Sequence, residues 1–164
     1  MSDVERLLRA SLVRIAVEDP RSVDAKWCVA EYFAELNQRF DAGFDPAQSI
    51  PADAHELVPP DGAFVIARLR ERPIGCGALK LHPRAPAELK RMWVAPDSRG
   101  LGVGRRLLAE LERLALDGGA RAVRLETNRS LKEAIQLYRY SGYREVEAFN
   151  SEPYAHHWFE KRLR

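Results

Sequence analysis

Val94-Ala95-Pro96-Asp97-Ser98-Arg99-Gly100-Leu101-Gly102-Val103-Gly104-Arg105-Arg106 leads from the end of a predicted strand, through a glycine-spaced loop, into a predicted helix. The strand is Glu88 to Val94, closed by Ala95-Pro96. The helix shows an apolar stripe at Val103, Leu107, Leu108, Leu111, Leu114 and Ala115, ended by Gly118-Gly119, which gives it about fifteen residues. The first turn of a helix carries unpaired N–H donors and a partial positive charge, so a loop entering it in this way can cradle a phosphate. Gly102 and Gly104 are expected to let such a ligand approach the backbone with no Cβ in the way. A nucleoside-triphosphate loop would end in Gly-Lys-Ser/Thr, whereas Gly104 is followed by Arg105-Arg106. A dinucleotide loop would place a third glycine where Arg105 or Leu107 stands, and only Glu126, about twenty residues on, keeps that reading open.

Outward from this segment, Arg121 to Glu126 alternates as a strand, and Ser130-Leu-Lys-Glu133 has the spacing of a capping box opening another helix, which Gly142 should end. Tyr143 to Phe149 and His157 to Leu163 read as two last strands. On the N-terminal side, Ala63 to Leu69 and Ile74 to Leu81 flank the polar turn Arg70-Glu-Arg-Pro73 and predict a hairpin. Further back, Leu12 to Val17 predicts a strand, and Val23, Trp27, Ala30, Phe33, Leu36 and Phe40 recur as one face of a helix. Asp41 to Gly62, rich in Pro, Asp and Ala, is irregular, with room for a short helix. The order strand, helix, loop, three strands, helix, strand, helix, two strands predicts an α/β mixed sheet with helices on its faces.

The chain has 164 residues, a length suited to one domain spanning 1–164. Its longest strongly apolar run, Ala63 to Ala67, is far too short to span a bilayer. Apolar residues make up 46% and charged residues 30%, which excludes a disordered chain. The start, Met1-Ser-Asp-Val-Glu-Arg, places acids before any apolar stretch, so export is not expected and a cytoplasmic location is. Cys28 and Cys76 form neither a disulfide framework nor a metal knuckle and are expected to be reduced core residues. A net charge of +2 is too even to imply nucleic acid or a membrane surface. The 21 arginines against 5 lysines carry no functional weight.

The stretch Arg99-Gly100-Leu101-Gly102-Val103-Gly104 resembles the pyrophosphate-binding signature of the GNAT acetyltransferase superfamily. Glu88-Leu-Lys-Arg-Met92-Trp93-Val94 is similar to that superfamily's preceding strand. Asn128, with Leu137-Tyr138-Arg-Tyr-Ser-Gly142-Tyr143, is similar to its later strand end and tyrosine-bearing helix. The resemblance covers roughly residues 63–163. It implies a mostly antiparallel central sheet of about six to seven strands, helices on both faces, and acetyl-CoA as cosubstrate. By the same resemblance, the pantetheine arm would pair with backbone groups of Met92 and Val94, flanked by Trp93. The pyrophosphate would lie on the N–H groups of Leu101, Gly102, Val103, Gly104 and Arg105, after the turn at Gly100. Arg99 would lean over the phosphates, Arg105 or Arg106 would reach the 3′-phosphate, and Asn128 would hold the pantetheine or the incoming amine.

The same resemblance implies that Tyr138 is the general acid. A thiolate leaving group has a pKa of about 8.5 and tyrosine about 10, so protonating the sulfur costs about 2 kcal/mol. The attacking amine, with a pKa of about 10.4, is almost wholly protonated at neutral pH, and a base acting through water is useful. Glu88, four residues before Met92 and expected on the same face, occupies the superfamily's place for such a base, with Glu126 in reserve. His156-His157 would point to opposite strand faces and offers no metal site. The expected activity is transfer of acetyl from acetyl-CoA to a primary amine, small-molecule or protein-borne, by direct attack, without a metal, in a monomer or homodimer. The alternative is a CoA-binding module without turnover.

Overall fold

Two unbroken buried runs, 62–67 and 74–80, on either side of an exposed turn and followed by alternating burial at the start of the next strand, build the centre of one open sheet in the computed structural model, which describes residues 1–164. The strands are β1 (Val13–Val17), β2 (Gly62–Leu69), β3 (Arg72–Lys80), β4 (Ala87–Val94), β5 (Ala122–Thr127), β6 (Arg144–Val146) and β7 (His157–Arg162), in spatial order β1-β2-β3-β4-β5-β7-β6. All neighbouring strands pair antiparallel except β4 and β5, which are parallel. That parallel pair is joined at only two positions, Ala87↔Val123 and Glu88↔Arg124, after which the strands diverge into a fork. The fold expectation therefore holds: a mixed α/β, mostly antiparallel sheet with seven strands.

Four helices cover the sheet: α1 (Asp3–Ser11), α2 (Val23–Arg39), α3 (Val103–Asp117) and α4 (Lys132–Tyr140). Helix α3 buries Val103, Leu107, Leu108, Leu111 and Ala115 in the larger core, which also holds Val65, Ile74, Leu125 and Phe159. Each fully buried Leu or Val there contributes about 1.5–3 kcal/mol. The opposite face carries α2 over Phe64, Ile66, Cys76, Ala78 and Trp93.

Several sequence expectations need correction. Helix α1 lies outside them; it buries no residue, so its helical signal is not a core signal. The inner face of α2 is Ala25, Cys28 and Leu36, whereas Val23 is 84% exposed. Small residues let this helix lie close to the sheet, while its large aromatics serve elsewhere: Trp27 meets Trp93 edge-on, and Phe33 and Phe40 line a cavity. No capping box forms at Ser130, because the N-cap of α4 is Leu131 and Glu133 instead pairs with Arg39 of α2. The strand expected over 143–149 is reduced to Arg144–Val146. The irregular stretch 41–62 holds two short 3-10 turns, Pro46–Gln48 and Ala54–Glu56.

Candidate active site

Helices α1 and α2 begin with serine caps: Ser2 accepts from the Glu5 N–H and Ser22 from the Ala25 N–H. Helix α3 begins at Gly102, which has no side chain to offer. Its first backbone bond is from the Arg106 N–H to the Gly102 carbonyl, so the N–H groups of Val103, Gly104 and Arg105 lack intrahelical partners. Gly100 (φ +87°) and Gly102 (φ +75°) hold the loop in the left-handed region, where a side chain costs about 1–2 kcal/mol, and nothing lies within 4 Å of where their Cβ atoms would be. Gly104 serves a different purpose. A Cβ there would come 3.1 Å from Leu137 Cδ2, so this glycine permits α3 to approach α4. The side chains of Leu101 and Val103 are buried in the core, leaving only their backbone facing the loop.

Beside this loop runs a groove of about 520 Å³ lined by Met92, Trp93 and Val94, by Arg99, Gly100 and residues 102–105, and by α2 and α4. Arg99 does not lean free over the loop; its Nη2 donates to both oxygens of Glu35 at 2.9 Å and to the Val94 carbonyl at 3.1 Å. Glu35 also accepts from Trp93 Nε1 and Arg39, and Arg39 continues to Glu133, so α2 is laced to β4 and α4 across the groove. Arg106 is withdrawn from any ligand role, because it donates to the carbonyls of Ala10 and Val13. Arg105 is exposed and lines the groove.

A second cavity of about 120 Å³ opens on the α2 side of the fork, and Tyr32, Leu36, Met92, Leu131, Ala134 and Tyr138 line both spaces. Tyr138 is only 5% exposed, and burial pushes its phenol well above the ordinary value, with Tyr32 and Glu126 adding to the rise. No protein group hydrogen-bonds its hydroxyl, so that proton is free to face the junction. Tyr140, 91% exposed, and Tyr143, whose hydroxyl donates to Glu112, are elsewhere.

Glu88 and Met92 do not share a face. β4 carries a bulge in which Arg91 and Met92 together oppose Gly77, Arg91 taking φ +61°, and this shifts the alternation by one. Ala87, Leu89, Met92 and Val94 thus belong to the α3 side, while Trp93 is in the α2-side core. Glu88 lines neither cavity; its Oε2 is 2.6 Å from His82 Nε2 and its Oε1 is 4.0 Å from Arg124. Two carboxylates line the smaller cavity, Glu126 and Glu152, and Glu152 is taken up by Ser49 and by the Ile50 and Tyr154 N–H groups. Lys90 donates to Glu126 Oε1 at 2.6 Å across the fork, whereas buried Oε2 has no partner. Asn128 lines the same cavity, but its amide donates to the Tyr154 carbonyl and accepts from the Ser130 N–H, so it chiefly pins the 154 segment to the end of β5. His156 and His157 bind the Arg129 N–H and Glu145, respectively.

Sequence reading missed the contribution of Tyr32, Phe33 and Arg91 to this cavity, which residues of 44–52 and Tyr154 also line. Phe33, Phe40 and Phe44, from α2 and the loop that follows it, join the distant Tyr154 in one aromatic cluster. No spacing pattern signals such a grouping.

The family model described as the GNAT acetyltransferase family matches residues 28–143. The chain is 38% identical over 133 residues to a protein named IAA acetyltransferase from Azospirillum brasilense, covering 80% of this chain and 84% of that one. It is 33% identical over 120 residues to the N-alpha-acetyltransferase RimI of Mycobacterium tuberculosis, covering 71% and 73%. A solved Klebsiella pneumoniae protein assigned as an acyl-CoA N-acyltransferase superposes with a TM-score of 0.77 at 26% identity, over 93% of this chain and 99% of that one. A Bacillus anthracis structure described as a streptothricin acetyltransferase in complex with acetyl coenzyme A shares the fold at a TM-score of 0.60 and 24% identity, over 70% of each chain. A glycine-started helix beside a forked parallel pair, a buried tyrosine at the junction, and these likenesses lead to one conclusion: the chain belongs to the GNAT acetyltransferase family and is an acyltransferase.

Proposed function

We propose that the protein transfers the acetyl group of acetyl-CoA directly to a primary amine, with Tyr138 as general acid and Glu126 as general base. The observation that carries this reading is the position of Tyr138, which lines both the groove and the smaller cavity and whose hydroxyl has no hydrogen-bond partner in the protein. The residues of the groove fit acetyl-CoA: unpaired N–H groups at the start of α3 for a pyrophosphate, exposed Arg105 for a further phosphate, and the unpaired side of β4 beyond Glu88 for an extended arm. As cosubstrate it supplies an acetyl group activated as a thioester.

In this reading Glu126 takes the amine proton. Its Oε1 is anchored by Lys90, leaving Oε2 without a partner, and a buried oxygen in that state favours whatever proton donor enters the cavity. The amine then forms the new C–N bond as the C–S bond breaks, Tyr138 Oη gives its proton to the departing sulfur, and the proton that the new amide nitrogen must still shed returns to the phenolate. Burial raises the Tyr138 phenol, which widens its gap from an aqueous thiol; a thiolate released into the same dry junction is raised for the same reason. The gap that governs proton transfer therefore widens by less than the tyrosine's own rise.

An amine panel with acetyl-CoA, followed by thiol release, tests the reading. Release that depends on the amine is expected. Acetyl-CoA binding with no release for any amine would leave only the CoA-binding module.

A further inference from the structure

Arg91 is the cation of the smaller cavity that has no acidic partner. Lys90, the other cationic residue lining that cavity, is paired with Glu126 at 2.6 Å, and Glu152 is engaged by Ser49, the Ile50 N–H and the Tyr154 N–H. Arg91 has five N–H donors and uses one, in a long 3.4 Å bond to the Ala52 carbonyl; no carboxylate lies within ion-pair distance. Its guanidinium lies over the Phe33 ring, 4.5 Å from the centroid, and burial lowers its affinity for the proton. The residue also sits at the bulge with φ +61°, a conformation that is unfavourable for a non-glycine residue and is kept where the surroundings demand it. A desolvated, underused guanidinium in strained backbone at the wall of an open cavity is unfavourable for a purely structural residue.

Resting on the reading that this cavity takes the acceptor, we infer that Arg91 binds a carboxylate of the acceptor, which is then a small amino-acid-like molecule with an apolar, aromatic-sized body. The guanidinium fork suits a carboxylate, the rings of Phe33, Phe44 and Tyr154 suit the body, and Glu126 remains for the amine. A bound carboxylate would also supply the counter-charge that Arg91 lacks.

The test is direct binding, which does not require turnover. 3-Phenylpropionate and 3-phenylpropionamide, which differ in charge and lack an amine, are titrated by calorimetry into the wild type and into Arg91→Met, Arg91→Lys and Lys90→Met. The wild type should prefer the carboxylate by about 10- to 100-fold, the scale of a charged hydrogen bond. Arg91→Met should reduce that preference to within about twofold, and Arg91→Lys should keep part of it. No carboxylate preference in the wild type, whether both probes bind alike or neither binds, overturns the inference. So does a preference that survives in Arg91→Met or is lost instead in Lys90→Met. If Arg91→Met fails to fold, the wild type and Arg91→Lys still decide. With acetyl-CoA present, phenylalanine should exceed phenethylamine in kcat/KM by a similar factor. Equal turnover of the two sinks this inference alone, whereas no thiol release from any amine sinks the acetyltransferase reading and leaves the binding result standing.

Discussion

The two sides of the β4–β5 fork present their polar groups by opposite means. On the groove side the free donors are backbone N–H groups, left over because α3 starts at a glycine and no side chain caps it. On the cavity side the underused polar groups are side chains, Glu126 Oε2, Tyr138 Oη and the Arg91 guanidinium, brought together from β5, α4 and β4. A backbone site is built by a contiguous segment and tolerates change in its side chains; a side-chain site depends on tertiary packing and is sensitive to single atoms. Substitutions should accordingly behave differently on the two sides.

The largest effect is expected on the groove side from Gly102→Glu, which puts a carboxylate and a Cβ at φ +75° beside the free N–H groups. In a thermal melt, acetyl-CoA at 100 times its Kd should stabilise the wild type by about 2.7 kcal/mol and this variant not at all. Gly104→Ala should lower stability by about 1 kcal/mol through its contact with Leu137 while acetyl-CoA still raises the melting temperature. If the two glycines behave alike, the distinction between a ligand-facing and a packing glycine within the loop is wrong.

On the cavity side, Glu126→Gln should lower kcat by about 10²-fold near pH 7, with the deficit shrinking as pH nears the amine pKa and free amine becomes abundant. A loss that is the same at every pH would indicate positioning rather than proton transfer. Tyr138→Phe should also cost about 10²-fold in kcat at saturating cosubstrates. Because no protein group bonds the Tyr138 hydroxyl, its melting temperature should stay within a degree or two of wild type. A variant that melts markedly earlier but turns over normally would make Tyr138 a core residue.

The smallest effect concerns Glu88, outside both spaces. Burial alone would raise its pKa, but the hydrogen bond with His82 and the charges of Lys90, His82 and Arg124 outweigh this and hold it below the usual glutamate value. A carboxylate with a depressed folded pKa stabilises the fold above its unfolded pKa and loses that contribution as pH falls through the folded one. Wild type should therefore out-melt Glu88→Gln by a small margin at pH 6–7, and the two curves should converge below about pH 4. Turnover in Glu88→Gln that fails near neutrality and recovers with rising pH would return the base to Glu88 and erase the contrast between the sides.

What could be read from the chain follows the same division. The α3 stripe, the bounds of β4 and the loop glycines are local, so periodicity and spacing locate them. Arg99 does lie at the groove, but its engagement with Glu35, 64 positions away, has no local mark. Assigning Glu88 and Met92 to one face assumes unbroken alternation, and the bulge at Arg91 breaks it. Arg106 reads as a ligand residue only until α1, which buries nothing and so leaves no core signal, takes up its guanidinium.

The sequence by itself therefore determined the order of elements from β1 onward, the seven-strand capacity of the chain and the phosphate-type loop, because each depends on hydrogen bonds and apolar repeats among near neighbours. Only the tertiary structure decided which carboxylate lies beside Tyr138, which arginines are engaged by internal carbonyls and carboxylates, and that Arg91 has no acidic partner. Those outcomes depend on where β4 and β5 part and on a one-residue bulge. Both arise from packing between segments far apart in the chain, and a shift of a single residue sends a side chain to the opposite face of the sheet.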